Sequence, residues 1–424
     1  MAFIKRRDFL AGLGTAFTGG VLGVELLDAD SRKAATRRVA AAATVYTHNS
    51  HADVILSRLL QGYNLDDKEP RPNLQLVSLY LDQIAGDDVG RKLAADHGVR
   101  LCRTIEEALT LGGSDLAVDG VLLIGEHGKY QPSPTGQTMY PRRRFFEDTV
   151  RVFRRTGRTV PVFSDKHLSW NWADGKWMYD TAQELRIPLM AGSSLPLTWR
   201  HPPIDVRRGA SLKEAVGISY HTLDAYGFHA IEMLQCLCER RRGNETGVAA
   251  VQCLEGKAVW QAREAGRFDT RLFEAAWSAR EAAGQWDQQL EHRVPNPTAF
   301  LIEYRDGFRA AILTLNPVNS DWSIAWREET GIQPRSTLFW TQEARPFGHF
   351  TFLVQGIERM MHSGKPTWPV ERTLLTTGML DALLTSRLEG GSRIETPQLN
   401  IPYQSLFDWQ DPKPPPPPRP LSGP

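Results

Sequence analysis

The stretch PVFSDKHLSW, residues 161–170, runs apolar and then sets Asp165, Lys166 and His167 side by side. A lysine can offset negative charge growing on an oxygen, and an imidazole can take or give a proton near neutral pH. A second such pair, Glu126 and His127, closes the apolar run LLIGEHGKY. A third lies in LDAYGFHAIEMLQCLCERR, where His229 and Glu232 stand three residues apart and would share one face of a helix. With His48 and His51 in YTHNSHAD, the chain holds enough imidazole and carboxylate for a metal site. No HxxxH or HExxH backs one, so no metal is expected; hydrogen bonding or a polar substrate suits such histidines better. Cys102, Cys236, Cys238 and Cys253 form no CxxC pair and read as buried thiols.

The elements around these residues decide where they point. RVAAAATVY (38–46) reads as a strand and SHADVILSRLLQG (50–62) as a helix, with Ser50 and Asp53 in the spacing of an N-terminal cap. LQLVSLYLDQI (74–84), VDGVLLIG (118–125), TVPVFSD (159–165) and PLMAGSS (188–194) read as further strands, separated by amphipathic helices. Strands that are apolar throughout and alternate with such helices predict an α/β, Rossmann-like, doubly wound parallel sheet. Ligands of that architecture lie at the carboxyl ends of the strands, where Lys166 falls. Beyond about residue 200 the rhythm changes. AFLIEYRDGFRAAILTL (299–315) reads as a hairpin turning at Asp306-Gly307, so the second part is expected to be α+β with an open, largely antiparallel sheet. The expected division is a signal and linker at 1–37, a dinucleotide-type domain at 38–198, an α+β domain at 199–408 and a Pro-rich tail at 409–424.

This pattern resembles the glucose-fructose oxidoreductase, inositol dehydrogenase and rhizopine-catabolism family (Gfo/Idh/MocA). Asp165-Lys166-His167 stands where that family has Glu-Lys-Pro, and Gly227-Phe228-His229-Ala230-Ile231-Glu232 where it has Gly-x-His-x-x-Asp. The closing segment GKPTWPVERTLLTTGMLDALLTSRLEGGSRIETP (364–397) is similar as well. The resemblance implies hydride transfer between NAD or NADP and a sugar, polyol or related hydroxylated compound, with Lys166, His229 and Glu232 at the catalytic centre. It makes Lys166 the group that steadies the substrate oxygen and His229 the proton acceptor.

The chain departs from that family at the first strand-to-helix turn. A dinucleotide fold has G-x-G-x-x-G there, whereas YTHNSHAD holds no glycine. A dinucleotide would have to be met by the side chains of Thr47, His48, Asn49 and Ser50 and by the helix N-terminus. Asp82 would take the ribose and favour NAD, with Gly125, Glu126, His127 and Asp165 completing the cofactor side. A carbohydrate-derivative lyase, hydratase or isomerase, or a non-catalytic binding protein, remains the alternative on the same fold.

A formal net charge of +1 and basic runs balanced by acids exclude an obvious nucleic-acid surface. The opening KRRDFLAGLGTAFTGGVLGVELL couples Arg6 and Arg7 to Phe9 and Leu10 before a Gly-rich stretch, which resembles a twin-arginine export signal. It is too short and glycine-rich for a stable membrane span. Export in the folded state to the periplasm, by the twin-arginine machinery, is therefore expected. A second-domain sheet of this kind often pairs between subunits, so a homo-oligomer is expected too.

Overall fold

Strand β1 (Arg37–Ala43) is buried from Val39 onward, as a run of Val and Ala must be at the centre of a parallel sheet. The computed structural model describes residues 35–281, 288–329 and 333–408. The twin-arginine-like segment and the Pro-rich tail lie outside them. Helix α1 (His51–Gln61) follows β1, and then β2 (Leu74–Leu81), α2 (Gly90–Asp96), β3 (Arg100–Cys102) and α3 (Ile105–Thr110). The chain next returns to the other side of β1 with β4 (Gly120–Ile124), α4 (Arg142–Thr156), β5 (Val162–Asp165), α5 (Trp172–Glu184) and β6 (Leu189–Gly192). The strand order is β3-β2-β1-β4-β5-β6, all parallel. The order reverses between β1 and β4, which opens a crevice at their carboxyl ends.

The second sheet contains β7 (Trp199–His201), β8 (Leu212–Ser219), β9 (Val248–Glu255), β10 (Thr298–Tyr304), β11 (Arg309–Thr314), β12 (Ser323–Glu328), β13 (Arg335–Trp340) and β14 (Ile394–Glu395). Its order is β14-β9-β10-β11-β8-β12-β13-β7, and only β11 and β8 run parallel. The expected hairpin joins β10 to β11, and Gly307 takes the positive φ of 86° that its turn requires. Helix α6 (Ala225–Cys238) covers one face; α7 (Lys257–Glu264) and α8 (Thr270–Ser278) cover the other, followed by the short α9 (Gln288–His292). Both faces are thus dressed by the chain's own helices.

Two last helices tie the halves together. α10 (His349–Ser363) packs into the core beneath β1 and β2, and α11 (Val370–Leu388) lies between the two sheets. Thr373 Oγ1 donates to the Ala191 carbonyl at 2.9 Å, Thr377 Oγ1 accepts from the Leu168 N–H at 3.1 Å, and Asp381 accepts from the Trp172 N–H at 2.8 Å. Arg372 Nε donates to Glu239, just past α6, at 2.8 Å, and both side chains are buried. Leaving one partner of such a buried pair unpaired is costly. Arg372→Ala should therefore lower unfolding free energy by about 3–5 kcal/mol, read as a shift in the denaturation midpoint. No described helix is long and apolar enough to cross a membrane.

Candidate active site

The crevice holds a cleft of about 750 Å³, within the range of roughly 300–1,000 Å³ common to small-molecule sites. Asn49 comes from the turn after β1 and His51 opens α1, Glu126 and His127 follow the end of β4, and Lys166 follows β5. His229 and Tyr226 project from α6, Trp322 precedes β12, and His349 and Phe350 begin α10. Backbone strain gathers here. Asn49, His127, Lys166, His221 and Phe347 all line the cleft with φ between 53° and 66°, a region bulky residues avoid unless the surrounding structure imposes it.

Lys166 sits at the centre. Its Nζ donates to His229 Nε2 at 2.9 Å and lies 3.4 Å from Glu126 Oε1. Glu126 also accepts from Arg142, at the start of α4, at 2.5 Å, and Arg142 reaches His167 Nε2 at 3.1 Å. All four network side chains around Glu126, namely Arg142, Lys166, His167 and Glu126 itself, are buried. Burial alone would raise the Glu126 carboxyl, but Lys166 and Arg142 outweigh it and hold it well below the usual carboxylate range. His229 is pushed well below 6.5, chiefly by burial and then by Lys166 beside it, so its Nε2 is a free acceptor for the lysine. Gly125 is required by the same packing: a Cβ there would come 2.6 Å from Arg142 Cγ.

Of the residues expected at the site, Asn49, Glu126, His127, Lys166 and His229 line the cleft, whereas Thr47, His48, Ser50, Asp82, Gly125, Asp165 and Glu232 do not. Glu232 does not pair with His229. It turns to the bend after β6, where it accepts from the Ser193 N–H at 2.7 Å and from Ser193 Oγ at 2.6 Å. Asp165 lies under the cleft and binds His51, not Lys166. Asp224, the residue before α6, also faces the cleft and accepts from the Thr138 N–H at 2.9 Å. Arg142 and the His51–Asp165 contact were not singled out from sequence. The signal available was the length of the stretch between β4 and α4, far beyond the roughly 2–6 residues of an ordinary strand-to-helix loop.

No family model matches the chain, and no curated protein matches its sequence. Solved structures do match in three dimensions. GenD2 from gentamicin A biosynthesis, crystallised with NAD, is 14% identical with a TM-score of 0.55, over 85% of this chain and 97% of that one. The myo-inositol dehydrogenase of Lactobacillus casei, in complex with NAD(H) and myo-inositol, is 9% identical with a TM-score of 0.52, over 85% and 96%. An NAD-binding oxidoreductase from Klebsiella pneumoniae is 12% identical with a TM-score of 0.52, over 85% and 99%. This chain has the Gfo/Idh/MocA two-domain fold.

That fold would place a dinucleotide's pyrophosphate over the β1–α1 turn and its adenosine ribose at the end of β2. In this chain one segment touches both places. After Glu126 the backbone crosses from β4 over β1 to β2: a Cβ at Gly128 would come 3.2 Å from Val45 Cγ1 in the turn, and Lys129 exchanges two 3.0 Å bonds with the Gln83 side chain. Tyr130 then donates to Asp82 at 2.7 Å, where Tyr80 at 2.7 Å and Arg144 at 2.5 Å complete the carboxylate's partners. The α1 N-terminus is also met from within. Ser50 caps the Asp53 N–H, while the buried Asp53 carboxylate accepts from the Asn49 N–H at 2.8 Å and from Arg345 at 2.6 Å. The chain's own carboxylate thus already serves the α1 N-terminus. The residues present do not fit the adenosine and pyrophosphate half of a dinucleotide in that pose.

Burial pushes the Glu232 carboxyl up from 4.5 to about 7, against the opposing pull of its Ser193 bonds. The folded chain then holds this proton more tightly than the unfolded chain, so stability falls as pH rises through that interval. Glu232→Gln, which keeps an acceptor for Ser193, should flatten the loss of stability between pH 5 and pH 7 in denaturation curves.

Proposed function

We propose that the cleft binds a sugar, polyol or related hydroxylated compound and moves a proton at one of its hydroxyl groups through Lys166 and His229. The observation that carries this is the 2.9 Å contact between Lys166 Nζ and His229 Nε2 on the wall of the cleft. A substrate hydroxyl seated between them would replace that contact. Its proton would pass to Nε2 of the neutral imidazole, while Lys166 lowers the cost of negative charge on the oxygen. Glu126 and Arg142 keep Lys166 in position from behind. The cleft's other groups suit several hydroxyls: Asp224, Glu343, Thr138, Thr341 and Tyr140 accept or donate around the same space. The Lactobacillus casei protein of like fold holds myo-inositol, a compound of this class.

Two reactions can follow that proton transfer. Hydride transfer to NAD or NADP, the oxidoreductase reading, draws support from like-folded proteins crystallised with NAD. Elimination, hydration or isomerisation of a carbohydrate derivative needs nothing beyond the chain and a carbonyl-bearing substrate. The segment across the dinucleotide groove favours this second reaction.

With a turned-over compound found by screening sugars, polyols and sugar acids, Lys166→Ala and His229→Ala should each lower kcat/KM by about 100-fold or more with the fold intact. Near-parental rates in both variants would refute the assignment. Export to the periplasm is part of the same proposal and rests on Arg6-Arg7. Replacing both by Lys should hold the precursor in the cytoplasm, because the export receptor reads the guanidinium pair. Equal export of the double-Lys form in cell fractionation would exclude that route.

A further inference from the structure

We propose that His51, oriented by Asp165, is a second catalytic residue of this cleft and takes a proton from substrate carbon. The proposal rests on the reading above that the cleft holds a hydroxylated compound. His51 is the first residue of α1, beside β1, yet its Nδ1 lies 2.6 Å from Asp165 Oδ2 at the end of β5. The ring therefore spans the carboxyl end of β4. It is fixed edge-on to Phe350 with ring centres 5.2 Å apart, and lies 5.4 Å from His127.

Asp165 is fully buried, and its other oxygen has no partner among the described residues, so His51 is the side chain it serves. A carboxylate oxygen accepts, so Nδ1–H donates to Asp165 and Nε2 is the ring's acceptor, in a side chain that lines the cleft. The neighbouring groups are already committed or quiet. Glu126 is held by Lys166 and Arg142, His229 Nε2 is taken by Lys166, and burial pushes His127 down to about 4. His349 on α10, whose ring lies tilted against Phe350, is likewise pushed down, to about 3, by burial. Nε2 of His51 makes no bond to a described residue, and the side chain lines the cleft where substrate would sit.

The step this arrangement supports is removal of a proton from carbon next to a carbonyl or carboxylate. The C–H pair becomes the C=C of an enolate, whose negative oxygen Lys166 holds. Return of the proton from His51 to carbon regenerates the carbonyl compound. Loss of a hydroxyl from the next carbon, with a proton from Lys166, yields water and an unsaturated product. Neither course needs an oxidant.

The test follows α-proton exchange by proton NMR in D2O, using the full chain with ketoses, aldoses and sugar acids. The parent should wash out the α-proton of at least one compound, and His51→Gln and Asp165→Asn should slow this by about 100-fold or more. His51→Gln should lower kcat with little change in KM, which loss of a merely structural tie between α1 and β5 would not produce. Exchange by His51→Gln at the parental rate, or no exchange by the parent with any compound, overturns the proposal. If the parent instead oxidises a compound without exchanging label, the Lys166–His229 reading survives and the second base does not. If His229→Ala exchanges normally while His51→Gln and Lys166→Ala fail, the second base stands and His229 as proton acceptor does not.

Discussion

One buried carboxylate, that of Glu126, sets the terms for the whole cleft. Removing a carboxylate from water is expensive, and here two cations offset the cost, Lys166 from one strand end and Arg142 from the helix after another. Each cation is buried as well, so none of the three can be released without stranding the others. The consequence is a lysine held at the carboxyl end of β5 in a left-handed backbone conformation, with its remaining reach directed at His229. Gly125 belongs to the same constraint, because only a residue without a Cβ lets Arg142 come so close.

The segment that begins at Glu126 does a second thing. It carries the chain across β1 and ties itself to Gln83 and Asp82, at the strand ends where a doubly wound sheet would take a dinucleotide. The scaffold is shared with NAD-binding proteins at 9–14% identity, and what fills its crevice is this chain's own. Fold alone does not fix the chemistry here, as across many large scaffolds. His51 belongs to the same change. The start of α1 sends an imidazole over the end of β4 to Asp165.

Much of this could be read from sequence, and the physical reason is locality. Apolar runs alternating with amphipathic stretches announced the parallel sheet, Ser50 and Asp53 announced the start of α1, and Asp306-Gly307 announced a turn, because each depends on neighbours in the chain. Lys166 was placed correctly for the same reason: the run before it could only be a strand, and strand ends carry ligands in this architecture. Contacts across sequence were not legible. Nothing near His51 tells that it meets a residue 114 positions away, nor that Glu232 turns from His229 to the Ser193 bend. Asp82 looked like a ribose-binding acid until Tyr80, Tyr130 and Arg144, from three separate stretches, were seen to surround it. The glycine-free turn was visible, but the segment that covers it was not, since a loop's path is set by what it packs on.

The central claim is that this chain fills its own dinucleotide groove. Calorimetric titration of the purified full chain with NAD, NADP and their reduced forms tests it directly, together with the absorbance spectrum of whatever the unfolded protein releases. No binding tighter than millimolar and no release of a nicotinamide species is expected. Micromolar binding of any of the four, or a copurified nicotinamide dinucleotide, would contradict it.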